Sequence, residues 1–276
     1  MCKKIITLAV VAAFGVSALA QTSTFTLTDG PWRYAERSIT GATTRTGAGG
    51  GSADFTNGTE NLFQNWFWYR STGDTREYGL SNQTGFSQPA ANRVQLQYTE
   101  PNAAGGSLIF DLTYTLTSIS GTSAVTVIDI LVTSRGSNDV HLFPYIDYDL
   151  AGSTSNSAAL VSFGGTRGAM RVAHTSGNFG WFEMQAPGGG MSGWEIAAFA
   201  GLRTRLSNTT VDNLSNSGSP FGPGDFTGAF QWSMQMSSGQ QARLRVIKGI
   251  NAVPEPGTLL AIGAGLAALA ARRRRK

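Results

Sequence analysis

Between residues 21 and 251, apolar and polar positions alternate with a period of two over much of the chain, the mark of strands that bury one face. Val94, Leu96 and Tyr98 alternate with Arg93, Gln95 and Gln97. The pattern resumes with Leu108, Phe110, Leu112, Tyr114 and Leu116 after the Pro- and Gly-containing loop Glu100 to Gly106. Ala124 to Val132 is apolar on both faces apart from Thr126 and Asp129, which predicts a strand in the middle of a sheet. Phe226, Phe230, Trp232, Met234 and Met236 share one face, and Ala242, Leu244 and Val246 share another. Ser237-Ser238-Gly239-Gln240 between them predicts the turn of a hairpin. Further strands are expected at 25–28, 33–39, 62–70, 141–148, 158–163, 170–174 and 181–184, and one short helix where Ile196, Phe199, Leu202 and Leu206 fall near one helical face. Glycine-rich loops are expected at 47–51 and 187–190. The fold class that follows is all-β, an antiparallel two-sheet β-sandwich with one short helix.

The two ends break this pattern. Lys3 and Lys4 precede an apolar run from Ile5 to Val16, and Ala18 and Ala20 then stand before Gln21, the layout of a cleaved secretory signal peptide. At the other end, Val253-Pro254-Glu255-Pro256 cannot continue a strand or helix and presents an extended segment to a protease. The apolar stretch Leu259 to Ala271 that follows would make a helix of about 20 Å, a marginal span of a roughly 30 Å hydrocarbon core. Arg272, Arg273, Arg274, Arg275 and Lys276 then hold that end in the cytoplasm by the positive-inside rule. Together the Pro-Glu-Pro motif, the short apolar helix and the basic cluster resemble the PEP-CTERM sorting signal. That resemblance implies recognition of Pro254-Glu255-Pro256 by an exosortase in an exopolysaccharide-producing Gram-negative bacterium. It also implies transient anchoring in the inner membrane, removal of the helix and delivery to the cell envelope, surface or matrix. The expected organisation is a signal peptide at 1–20, a sandwich ectodomain at 21–251 and a sorting signal at 252–276. The segments Phe143 to Leu150 and Gly222 to Phe226 resemble the β-sandwich ectodomains that often precede this signal, and no activity comes with that likeness.

Composition narrows the function classes. Charged residues are 14% of the 276-residue chain and glycine accounts for 35 residues, which disfavours a cytosolic helical protein. Six Trp, seven Tyr and 15 Phe supply a large apolar core and exclude disorder. The single cysteine, Cys2, lies in the predicted signal peptide, so the mature chain is expected to have no disulfide or cysteine metal site. The two ends hold seven of the 21 basic residues and one of the 17 acidic ones. Residues 21–252 therefore keep 14 basic and 16 acidic residues, a formal −2, with no footprint for nucleic acid.

Candidate chemistry in the body is sparse. His141 and His174 are the only histidines, no Gly-x-Ser-x-Gly elbow is present and Gly190-Met191-Ser192-Gly193-Trp194 fails at its last position, so no catalytic residue is expected. Gly263 to Ala268 matches a dinucleotide fingerprint but lies in the C-terminal apolar run and follows no strand. No cofactor is expected. Asp147 and Asp149 share a face if 146–150 is a strand and could offer hard oxygen ligands to Ca²⁺. Aspartates that close turns through their own backbone bonds give the same pattern, and this is the preferred reading, with no metal site. Trp66, Trp68 and Arg70 are candidates for stacking on exopolysaccharide. The preferred reading of 66–70 is a strand buried between two layers, with Arg70 or Arg76 pairing with Glu77. The function expected is a non-enzymatic exported surface or matrix protein. Its rivals are a carbohydrate-binding module and a carboxylate-dependent enzyme acting on polysaccharide.

Overall fold

The alternation becomes antiparallel sheet in the computed structural model, which describes residues 24–37, 45 and 52–252. In chain order the strands are β1 (Thr24–Asp29), β2 (Trp32–Arg37), β3 (Ala53–Thr56), β4 (Gln64–Arg70), β5 (Tyr78–Gly79), β6 (Gln83–Ala90), β7 (Arg93–Pro101), β8 (Ser107–Ser120) and β9 (Ser123–Ser134). They continue with β10 (Asn138–Asp147), β11 (Asn156–Gly164), β12 (Arg167–Ala173), β13 (Phe179–Gln185), β14 (Met191–Ala198), β15 (Phe221–Gly224), β16 (Phe226–Met236) and β17 (Gln241–Ile250). One α-helix, α1 (Gly201–Ser207), and a 3₁₀ turn at Leu150–Gly152 complete the described elements.

A nine-stranded sheet runs β15-β11-β12-β13-β17-β9-β8-β7-β6, a five-stranded sheet runs β14-β16-β10-β4-β5, and β1-β2-β3 form a third. The two larger sheets face each other across the main core, an antiparallel sandwich as predicted. Inward positions of β8 and β9, from Leu108 to Leu116 and from Ala124 to Val132, meet Phe67, Tyr69, Leu142 and Trp232 from the other layer. As expected, β9 lies centrally, between β17 and β8.

The turn at Ser237 to Gln240 exists, with the Gln240 N–H donating to Ser237 O at 3.0 Å, but it does not close a hairpin. β16 pairs with β10 and β14, whereas β17 pairs with β13 and β9, so the turn is an arch between sheets. Alternation looks the same in two strands that pair and in two that face each other across a core. The expected helical face is also shorter. Leu202 and Leu206 lie on α1, while Ile196 belongs to β14, opposite Gly228 of β16.

A buried polar network joins the three sheets. Lys248 Nζ on β17 donates to Tyr34 Oη at 3.0 Å, and Tyr34 donates to Glu36 Oε2 at 2.9 Å. Asn65 on β4 and Tyr114 on β8 also donate to Glu36, at 2.9 and 3.3 Å. Burial lowers the Lys248 pKa to about 7 against the opposing pull of Glu36, and raises that of Glu36.

Candidate functional site

The sorting segment with Val253, Pro254, Glu255, Pro256, Arg272, Arg273, Arg274, Arg275 and Lys276 lies outside the described residues, as do Ala18, Ala20 and Gln21. Among the described residues no helix is long and apolar enough to cross a membrane. The folded body is fastened almost up to that segment. Asn251 N–H donates to Phe179 O at 2.8 Å, its Oδ1 accepts from the Phe179 N–H, its Nδ2 reaches Thr122 O, and Ala252 is buried.

The aromatic strand β4 is buried along its whole length. Phe67 and Tyr69 enter the main core. Trp66 and Trp68 enter a second cluster with Phe143, Tyr145 and Leu214 beneath Leu202 and Leu206 of α1. Trp66 is 3% and Trp68 1% exposed, so neither ring has an open face for a sugar. Arg70 is likewise buried and pairs with Glu77, and its guanidinium donates to Asp212 O and Asn213 Oδ1. The stacking role of Trp66, Trp68 and Arg70 is thereby corrected to core packing. α1 and the 212–214 segment cover the face that an isolated strand would have left open.

Asp147 and Asp149 meet a third carboxylate. Asp147 ends β10, Asp149 precedes the 3₁₀ turn, and Asp225 is the single residue between β15 and β16. β10 and β16 pair Ile146 with Gly228, so the same antiparallel count carried past the strand end sets Asp149 opposite Asp225. One carboxylate oxygen of each lies within 4.8 Å of the others. Asp147 is fully buried, and neither of its carboxylate oxygens has a hydrogen-bond partner; Asp149 Oδ1 has none either. Asp149 makes no side-chain cap to the turn it precedes and closes it through its backbone alone, its O accepting from the Gly152 N–H at 2.9 Å. Burial, then the charges of Asp149 and Asp225, push Asp147 up to about 8. Burial, then Asp225 and Glu60, push Asp149 up to about 6, and burial raises Asp225. Asp225 lies 76 residues beyond Asp149 and is joined to it only by strand register.

His141 also has partners that spacing did not disclose. Its Nδ1 lies 2.7 Å from Ser233 Oγ on β16, and its Nε2 lies 3.4 Å from Asp139 Oδ2. Ser233 Oγ in turn lies 2.7 Å from Ser192 Oγ of β14. Burial and Arg70 lower the His141 pKa, and Asp139 opposes them. The residue types are those of a hydrolytic triad, but the surroundings are those of a sheet. Asp139 is 45% exposed, and Ser233 sits within a strand with its N–H already donated to Gly190 O at 2.8 Å. An oxyanion hole needs preorganised donors free to meet a developing charge. The nearby Gln231 Nε2 donates to Asn213 Oδ1 at 2.9 Å and also reaches Ser233 Oγ at 3.4 Å. The His174 ring bonds to Ser176 in its own turn.

The outer face of the nine-stranded sheet carries a polar groove of about 540 Å³ lined by Arg93, Asp111, Asp129, Gln185, Arg243 and Arg245. Arg245 donates to Asp129 at 2.7 Å across β17 and β9, and Gln97 donates to Asp111 at 2.7 Å.

Residues 252–275 match the PEP-CTERM protein-sorting motif. The chain thus carries the signal of an exported protein that is held by a C-terminal membrane anchor before processing, with an exosortase-type enzyme as the processing partner. No curated protein matches the sequence. Among solved structures, the GalM/aldose epimerase homologue of C. elegans is similar with a TM-score of 0.51 at 8% identity, over 83% of this chain and 99% of that one. A candidate aldose 1-epimerase of Escherichia coli K12 has a TM-score of 0.47 at 8% identity, over 83% and 99%. A bacterial glucoamylase complexed with acarbose has a TM-score of 0.48 at 9% identity, over 88% of this chain and 37% of that one. The likeness to the C. elegans protein is one of fold, a large antiparallel β-sandwich.

Proposed function

We propose that this chain is a non-enzymatic protein of the cell surface or extracellular matrix. In this reading a signal peptide exports it and an exosortase releases it by cutting at Pro254-Glu255-Pro256. One observation carries the reading: residues 252–275 match the sorting motif, and Pro254 and Glu255 stand four and five residues beyond Ile250, where β17 ends. A cut at Pro254-Glu255-Pro256 would leave β17 whole. Support for a non-enzymatic body comes from Ser233, which sits within β16 with its N–H bonded to Gly190 O and its hydroxyl shared among His141, Ser192 and Gln231. Glu255→Ala in the native host is expected to leave a precursor with its basic tail attached. Normal trimming of that variant would reject the recognition role.

A second reading, a carbohydrate-binding module for exopolysaccharide, is favoured by the polar groove on the outer face of the nine-stranded sheet. Arg93, Arg243 and Arg245 beside Asp111 and Asp129 present donors and acceptors on a broad open surface of the kind that hydroxyl groups can bridge. Retention of the protein on the host's exopolysaccharide, lost in Arg243→Ala and kept in Trp68→Phe, would support it. Equal retention of wild type and Arg243→Ala would remove its basis.

A further inference from the structure

The carboxylate centre at the end of β10 has no counterpart in the sorting account. Asp147 combines three properties that are hard to reconcile in a protein without a ligand there. It is fully buried, both its carboxylate oxygens lack a hydrogen-bond partner, and two more carboxylates point at the same space. A buried charge is normally paired, hydrogen-bonded or bound to a metal. Among the described residues, no lysine, arginine or histidine makes an ion pair with any of the three. Arg203 of α1, the basic group that acts on Asp147, donates instead to Gln64 Oε1 at 3.4 Å.

We propose that Asp147, Asp149 and Asp225 hold a calcium ion. Ca²⁺ takes oxygen ligands at about 2.3–2.6 Å, so two ligands of one ion are at most about 5 Å apart. The separations within the cluster, all inside 4.8 Å, meet that limit. The donor set is oxygen only, which disfavours zinc. Mg²⁺ usually keeps most of its waters and takes one or two carboxylates, which does not use a buried third. Asp149 and Asp225 are only half-buried and leave room for water to complete the coordination shell. The backbone already fixes two of the ligands: Asp149 O accepts from the Gly152 N–H at 2.9 Å, and Asp225 O from the Phe199 N–H at 2.9 Å.

The position gives the ion a mechanical task. β15, just before Asp225, pairs with β11 in the nine-stranded sheet, while β16, just after it, pairs with β10 in the five-stranded sheet. An ion bridging Asp225 to Asp147 and Asp149 ties the two sheets together at one corner. An exported protein would acquire this clamp where free calcium is plentiful.

The test uses the full chain in detergent, stripped with a chelator and titrated with CaCl₂ alone. Thermal unfolding and equilibrium dialysis report the response, and terbium luminescence sensitised by Tyr145 reports the location. Wild type is expected to bind one ion per chain and to rise in Tm, with saturation in the range of about 0.1–1 mM typical of extracellular modules. Asp225→Asn is expected to need about tenfold more calcium. Asp147→Asn is expected to raise the Tm of the calcium-free protein and to abolish the response, because it removes the cost of burying that carboxyl group and a ligand together. The proposal is overturned by any of four results: no bound ion at about 10 mM calcium, an unchanged response in Asp225→Asn, stabilisation by MgCl₂ but not CaCl₂, or a lower calcium-free Tm in Asp147→Asn.

Discussion

Lys248 Nζ sits 3.0 Å from Tyr34 Oη, linking β17 of the nine-stranded sheet to β2 of the three-stranded one through a hydrogen bond buried between them. Tyr34 passes the contact on to Glu36, which also gathers Asn65 and Tyr114. Burial holds the Lys248 pKa near 7, far below its unfolded value. The unfolded chain therefore binds the extra proton at alkaline pH. The resulting stability is full above the unfolded lysine pKa and is lost as pH falls through about 7. Glu36, raised by burial, acts in the opposite sense at acid pH, its contribution lost as pH rises above the usual carboxylate range. Between pH 7 and about 9, wild type should gain about 2 kcal/mol relative to Lys248→Met. Urea denaturation of both proteins across that window measures the difference. A difference that does not change with pH would mean that Lys248 stays charged in the fold.

Arg70 and Glu77 form the second test of buried charge. Glu77 accepts from Arg70 and from the Asp212 N–H, at 3.1 Å to Oε1, and so holds the 212–214 segment over Trp66 and Trp68. Glu77→Ala leaves the Arg70 charge buried without its carboxylate and should cost about 3–5 kcal/mol. Tryptophan fluorescence should shift to the red in the same variant as water reaches the two rings. Loss of stability below about 1 kcal/mol would show that the pair is solvated.

Gly168 on β12 packs under an aromatic ring. A Cβ there would lie 2.4 Å from Phe230 Cε1, deep in the interface between the sheets. Gly168→Ala should destabilise the protein by about 1–3 kcal/mol through overpacking. The outlying Gly164→Ala, whose Cβ meets nothing within 4 Å, should be near neutral. Parallel thermal melts decide the matter, and equal Tm values would contradict the packing.

The triad-like cluster makes a chemical prediction. Ser233 should not react with a fluorophosphonate probe at neutral pH, because its N–H is held by Gly190 O and its hydroxyl is shared among His141, Ser192 and Gln231 within the sheet. Mass spectrometry of the probe-treated protein reads this directly. Stoichiometric labelling that disappears in His141→Ala would make the body a hydrolase.

Much of the sandwich was legible because a strand that buries one face writes itself as alternation. β7 and β8 followed that pattern, and the double-sided apolar run of β9 gave its central place. β6 was not legible, since its residues are mostly exposed at the sheet edge and leave no apolar face to read. The arch at Ser237 to Gln240 was misread because facing and pairing strands share one period. The site was half legible for a related reason. Asp147 and Asp149 are neighbours in sequence, but Asp225 joins them through the β10–β16 register, and the missing donors around Asp147 are a property of the packed corner alone. His141 and Ser233 likewise meet only because β10 and β16 pair them directly.

Export of the body and its trimming at the sorting motif are both read from the intact mass of the protein recovered from the extracellular fraction of its native host. A species that begins at Gln21 and ends between Val253 and Pro256 is expected. A species that still carries Arg272 to Lys276 would contradict it and leave a membrane-tethered ectodomain in its place.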